Sequence, residues 1–332
     1  MVNRRTASRY RSSISGRDEE FSEGVHGHAC APFLGFYIMS VRSFCKREFT
    51  PRTRKVSRLI IKFMVTTWQL THTKPQRVEL READTLDAIT RQLVPNGFYS
   101  TFRTFDDCTR VIGLAAHLRR LPDADASTLR RSLLLLLEPY RPGEARVRLM
   151  ESPQKEFYIS IEPLKLLPPE VYRHGVRTET TTLARSDPRT KSTAFIGKSD
   201  EERKHLAQIG IFEALLVKNG RILEGMTSNF FYVSQDGDGV FVGTARRDIL
   251  LGVTRTMVIR AARGRGVEVR YRPLKLDQLP AAKEAFITSS SRGVVPVIQI
   301  DDARVGQGRP GKVTQLLMQA YDAYVLQHAE RI

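Results

Sequence analysis

Cysteine is scarce: three residues, Cys30, Cys45 and Cys108, are spread over 332 positions with no paired spacing. Neither a disulfide framework nor a zinc ribbon fits that pattern, and a reducing compartment, the cytoplasm, is the expected setting. Long apolar runs are also missing. The longest early one, Ala31 to Val41, falls well short of the roughly 20 residues that span a bilayer. Acidic residues precede it, so it does not read as a signal peptide, and no membrane partner is expected. His26, His28 and Cys30 have ligand chemistry, but no second cluster completes a set of four, so no metal is expected.

The net charge of +17 invites a nucleic-acid reading until it is located. Residues 1–63 hold thirteen Lys and Arg against five Asp and Glu, which is +8 of the excess. The remainder lacks the interleaving of basic and aromatic residues that a binding groove would show. A solvated basic surface is expected, not a nucleic-acid partner. Residues 1–63 also lack core-forming periodicity and are expected to be a disordered basic extension that adds nothing to the fold. Two further readings stay open: a mitochondrial-type presequence, because Met1 to Arg17 is rich in Arg and Ser and free of acid, and a true start at Met64.

What is present becomes regular from Val65. Composition is that of a globular protein, 41% hydrophobic and 27% charged, and the length suits two domains. The expected map is a first domain over 64–162, a proline-rich linker over 163–173 and a larger domain over 174–332. Phe98 to Phe105 alternates bulky with small or polar residues as a strand does. Val111 to Leu121 and Asp125 to Glu138 read as helices, the second with Leu133 to Leu137 in the core. Glu144–Glu151 and Glu156–Ile161 read as a strand pair, Val176–Leu183 as a β-branched strand and Asp200–Gln208 as a helix.

The densest information lies between Leu215 and Thr254. Asn219-Gly220, flanked by two β-runs, is a strong hairpin signal because both residues tolerate positive φ. Glu224 then stands at a strand end, followed by Gly225, a small polar run and the aromatic strand Phe230–Val233. Gly252-Val253-Thr254 opens a helix, gathering free N–H groups and a hydroxyl into a phosphate seat. Gly306 to Lys312 imitates a P-loop. It lacks the magnesium-binding hydroxyl, since Val313 stands there, and only 20 residues follow Lys312.

This combination closely resembles the class IV, fold-type IV, pyridoxal-phosphate (PLP) aminotransferases, a family that includes branched-chain and D-amino-acid aminotransferases and aminodeoxychorismate lyase. The motifs are Glu224-Gly225 with its polar run and Asn229-Phe230-Phe231, Leu250-Leu251-Gly252-Val253-Thr254-Arg255, and His117-Leu118-Arg119-Arg120-Leu121. The likeness extends from about Met64 to the C-terminus. It implies a mixed α/β fold of two domains, the larger a pseudobarrel, and a homodimer acting on an amino acid and a 2-oxo acid.

The resemblance also implies roles. Lys191 would form the Schiff base with PLP, since 33 residues separate it from Glu224, close to the family's interval; Lys198 is the rival. Glu224 would face the pyridine nitrogen. Arg120, Gly252, Val253, Thr254 and Ser290 would hold the phosphate, with Tyr99, Arg148 and Ser291 nearest the substrate. One departure stands out: the tyrosine common after the family's lysine is missing, and Phe195 and Ile196 occupy the region. Transamination is the expected reaction. Cleavage of aminodeoxychorismate to 4-aminobenzoate and pyruvate is the alternative, and Arg103, Arg146 and Arg148 suit either.

Overall fold

The computed structural model describes residues 64–71, 74–80 and 83–332. The expectations for residues 1–63, including the His26–Cys30 cluster, lie outside the described residues.

The first part of the chain supplies strands β1 (Thr66–Leu70), β2 (Pro75–Val78), β3 (Phe98–Arg103), β4 (Arg110–Val111), β5 (Ala145–Glu151) and β6 (Phe157–Pro163). Five of them form an antiparallel sheet in the order β2-β1-β6-β5-β3. Alternation along the strands sends Phe102, Val147, Leu149, Ile159 and Ile161 to one face, where they pack against Leu129, Leu133 and Leu137 of the helix Ala126–Leu137. Asp125 starts that helix by accepting the backbone N–H of Thr128 at 2.8 Å. Burial there follows the helical period, so the five-leucine run is not all core: Leu134 and Leu135 are 45% and 63% exposed.

The remaining strands are β7 (Val176–Thr181), β8 (Glu213–Lys218), β9 (Arg221–Gly225), β10 (Asn229–Asp236), β11 (Gly239–Thr244), β12 (Glu268–Arg270), β13 (Leu274–Lys275), β14 (Glu284–Ser289), β15 (Gly293–Ile300), β16 (Ala303–Arg304) and β17 (Glu330–Arg331). Ten belong to one mixed sheet, of which β10-β14-β15-β7-β8-β9 is the central run. A further pairing, Asn229 with Glu224, joins β9 back to β10 and closes those six strands into a barrel-like ring. The hairpin from β8 to β9 turns on Asn219 and Gly220 at φ 52° and 67°, values glycine and asparagine adopt more readily than other residues. Phe231 and Phe286 stack at 4.8 Å on one face of the ring, against the helices Val253–Gly264 and Lys312–His328. Phe230, Ile287 and Val295 fill the other face.

One local expectation changes. The helix proposed over Val111–Leu121 is confined to Leu114–Leu118, because Val111 pairs in β4 with the C-terminal β17 and Gly113 turns the chain at φ 65°. Within the proline-rich stretch 163–173, Pro163 ends β6 and Pro169–His174 forms a short helix with proline at its first position. Among the described residues no helix is long and apolar enough to cross a membrane.

Candidate active site

A cavity of about 230 Å3 lies where the two sheets meet. All ten residues singled out from the sequence line it: Lys191, Arg120, Glu224, Gly252, Val253, Thr254, Ser290, Tyr99, Arg148 and Ser291. Arg146 lines it too. Arg103 is not among the lining residues; its guanidinium lies 4.6 Å from the Phe105 ring centroid.

Lys191 sits on a loop docked to the edge of β3. Its carbonyl accepts the Tyr99 N–H at 3.0 Å, and Ser192 bridges Phe98. The amine lies 4.6 Å from the Tyr99 ring centroid. Burial, reinforced by Arg120, Arg185 and Arg148, drives that amine well below the usual lysine range, against the opposing pull of Glu224. Lowering the basicity of an amine raises the share of its unprotonated form, which is the nucleophile and proton acceptor. Lys198, the sequence rival, instead donates to the Ala184 carbonyl at 3.0 Å.

Glu224 occupies the point at which the barrel closes. Its Oε2 accepts the Asn229 side-chain amide at 3.2 Å and the Leu250 N–H at 3.0 Å. Its Oε1 accepts Arg185 Nε at 2.9 Å, and both members of that ion pair are almost fully buried. The Arg185 guanidinium lies 4.0 Å from the Phe195 ring centroid and donates to the Met226 carbonyl at 2.7 Å. Phe195 therefore supports the cation that pairs with Glu224. Burial pushes the Glu224 carboxyl up to about 7 despite Arg185.

A pH dependence follows. An acid whose folded pKa is raised stabilises the fold fully below its unfolded value, here 4.5, and that contribution is lost as pH rises through 7. Without cofactor, the protein should lose on the order of 3 kcal/mol relative to its Glu224→Gln variant between pH 4 and pH 8. The difference between the two denaturation profiles isolates this group, since Lys191 contributes to both. Parallel profiles would contradict the assignment.

Another part of the cavity lining has the donors to receive an anion. The helix Val253–Gly264 starts without a side-chain cap on Gly252, which leaves N–H donors and the positive end of the helix dipole open to the cavity. A side chain at Gly252 would bring its Cβ to 2.1 Å from Asn229 Oδ1, so glycine alone permits the approach. Thr254 and Ser290 hydroxyls meet at 3.3 Å beside it. Arg120 Nη2 reaches the Leu251 carbonyl at 3.4 Å, and burial with nearby Arg185 lowers it to about 10, still cationic at neutral pH. His117, buried three residues earlier, hydrogen-bonds Ser100 Oγ through Nδ1 at 2.9 Å and fixes the end of the helix Leu114–Leu118, just before Arg120.

Arg148 is less free than its sequence suggested. Asp87 and the Thr90 hydroxyl hold Nη1 at 2.6 and 2.9 Å, and the Thr101 hydroxyl holds Nε at 3.0 Å. Arg203 holds the second Asp87 oxygen at 2.7 Å. Sequence reasoning missed Arg185, Asp87 and Arg203, for which no local pattern exists, and Asn229 as a site residue, although it stands inside the Glu224 motif. The P-loop imitation is also resolved. Glu284 accepts the N–H groups of Val313 and Thr314 at 3.1 and 2.6 Å, so the start of that helix is already occupied by a carboxylate. Among the described residues no group of three or more His, Cys, Asp or Glu could hold a metal.

A buried carboxylate where the barrel closes, a lysine whose basicity burial depresses and an uncapped helix start thus meet around one cavity. The sequence profile of the amino-transferase class IV family matches residues 107–300, more than half of the chain, and the chain belongs to that family. It is 36% identical over 141 residues to the branched-chain-amino-acid aminotransferase of Escherichia coli, covering 42% of this chain and 43% of that protein. It is 32% identical over 115 residues to the D-alanine aminotransferase of Bacillus licheniformis, covering 35% and 40%. The match thus spans less than half the length of these curated relatives. Among solved structures, the fold IV-transaminase of Curtobacterium pusillum superposes with a TM-score of 0.62 at 22% identity, over 79% of this chain and 99% of that one. A hypothetical aminotransferase from Mycobacterium tuberculosis in PLP-bound form gives 0.62 at 20%, over 79% and 99%. These likenesses establish the fold.

Proposed function

We propose that the protein is a PLP-dependent aminotransferase that moves an amino group between an amino acid and a 2-oxo acid, with Lys191 as attachment point and proton carrier. The observation that carries the reading is the meeting of Lys191, Glu224 and the uncapped helix start at Gly252 around one cavity. The fit to PLP rests on the donor set. Arg185 Nη1, Ser228 Oγ and Thr288 Oγ1 are buried in residues that line the cavity and have no partner among the described residues, and a buried polar atom without a partner is costly unless a ligand supplies one.

Arg120, the N–H groups at the start of the helix Val253–Gly264, and the hydroxyls of Thr254 and Ser290 would bind the phosphate. Glu224, whose ionised form Arg185 favours against the effect of burial, would keep a proton on the pyridine nitrogen. When bound, the cofactor supplies an electron sink for the pair left on the substrate α-carbon after deprotonation. Lys191 removes and returns that proton through Nζ, and its depressed basicity keeps the amine ready to do so. Tyr99 shapes the substrate side beneath Arg148, and Arg148 and Ser291 border the space where a carboxylate would lie. We also assign the two sheets to two domains, joined across 163–173, and the working unit to a homodimer.

A half-reaction tests the reaction type. With an amino acid alone, the protein should convert bound PLP to the pyridoxamine form and release one equivalent of oxo acid. Release of 4-aminobenzoate and pyruvate from aminodeoxychorismate, with no pyridoxamine formed from any common amino acid, would assign the site to a lyase instead.

A further inference from the structure

A second cavity, about 860 Å3 in volume, shares no lining residue with the first. It is lined by seven Lys and Arg side chains and a single carboxylate, Asp248. Its floor is a row of cations across three neighbouring strands. Lys218 of β8 stands directly opposite Arg221 of β9, and Arg221 directly opposite Lys275 of β13. Like charges opposite one another destabilise a sheet, so the fold accepts a cost here. Arg246 and Arg247 after β11, and Arg272 before β13, add to the lining.

Counter-ions within the protein do not answer this charge. Of these seven cations only Lys218 is ion-paired among the described residues, with Asp248 at 3.5 Å, whereas Arg146, Arg148, Arg185, Arg203 and Arg292 of the first cavity are tied by Glu162, Asp87, Glu224 and Glu213. A concave surface lined by one sign of charge focuses its field and concentrates anions of the opposite sign. Tyr271, 41% exposed, adds a ring beside Arg246, whose guanidinium lies 5.1 Å from its centroid.

We propose that this cavity binds an oligophosphate anion, as a free phosphate chain or as the phosphates of a nucleotide. Cations repeated at the strand spacing of about 4.8 Å match a ligand whose charges repeat along its length better than they match one carboxylate. Arginine forks favour phosphate oxygens for their planar, bidentate geometry. The volume suits a molecule of nucleotide size, and the exposed Tyr271 adds an aromatic ring to the lining.

The test is calorimetric titration of the full chain, saturated with PLP so that the first cavity is filled, against inorganic tripolyphosphate and ATP, with sodium sulfate at matched ionic strength as reference. Saturable binding above sulfate is expected. The double variant Arg221→Glu, Lys275→Glu should weaken it about tenfold or more. A control with the same change of net charge, Lys165→Glu with Arg309→Glu, should shift it less than about threefold. ATP binding equal to tripolyphosphate assigns the site to the phosphate chain, and tighter ATP binding assigns it to a nucleotide that uses Tyr271. Equal losses in both double variants, or no saturable binding above sulfate, would overturn the proposal. Tighter binding of a single-stranded oligonucleotide than of tripolyphosphate would do so too, in favour of a nucleic-acid surface.

Discussion

Replacement of Lys191 by alanine should leave the protein folded and reduce amino transfer by at least about 10^3-fold, the loss expected when a group serves as both covalent anchor and acid–base catalyst. The side chain is not part of an apolar core. It stands against the Tyr99 ring in a cavity lined mainly by polar residues, so its removal opens space in that cavity rather than in an apolar core. Its backbone, which accepts from Tyr99 and holds the loop to β3, is untouched by the change. Steady-state rates with several amino-acid and oxo-acid pairs, together with circular dichroism, would separate the two effects. A variant within tenfold of the parent would place the chemistry elsewhere.

The second large effect concerns Arg185. An Arg185→Met variant keeps much of the packing on Phe195 but removes the cation from a carboxylate that is 1% exposed. Breaking one side of a buried ion pair typically costs about 3–5 kcal/mol, because the remaining charge is neither solvated nor paired. Glu224 can escape part of that cost by taking a proton, since its pKa already stands near 7 with Arg185 in place. Denaturant unfolding of the cofactor-free protein should therefore show the full loss at pH 8 and a smaller one at pH 6. The double variant Arg185→Met, Glu224→Gln should recover much of the stability at pH 8. A loss below about 1 kcal/mol at pH 8 would mean that the pair is not held as described.

These two residues also mark how far the sequence could be read. Lys191 and Glu224 were legible because family motifs fix their spacing, and the hairpin at Asn219-Gly220 was legible because its turn chemistry is local. Asp125 as a helix start was legible for the same reason. Arg185 was not: its partner lies 39 residues away in sequence, and nothing in its own neighbourhood distinguishes it from a surface arginine. The restraint on Arg148 was hidden likewise, since Asp87 comes from a helix 61 residues earlier. The overlong helix near Val111 failed because an apolar periodicity continued through a glycine that reverses the chain, and because β17, which claims Val111, lies at the far end of the sequence. The cationic row was invisible for the same reason. Lys218 and Arg221 are near neighbours, but Lys275 joins them only through β-pairing.

The central claim, that Lys191 is the residue to which PLP attaches, is tested most directly by borohydride reduction of the PLP-loaded protein followed by proteolysis and peptide mass spectrometry. The account predicts a single phosphopyridoxyl group on Lys191, with none on Lys198. Attachment at Lys198, or no covalent label on a protein shown to be loaded, would contradict it.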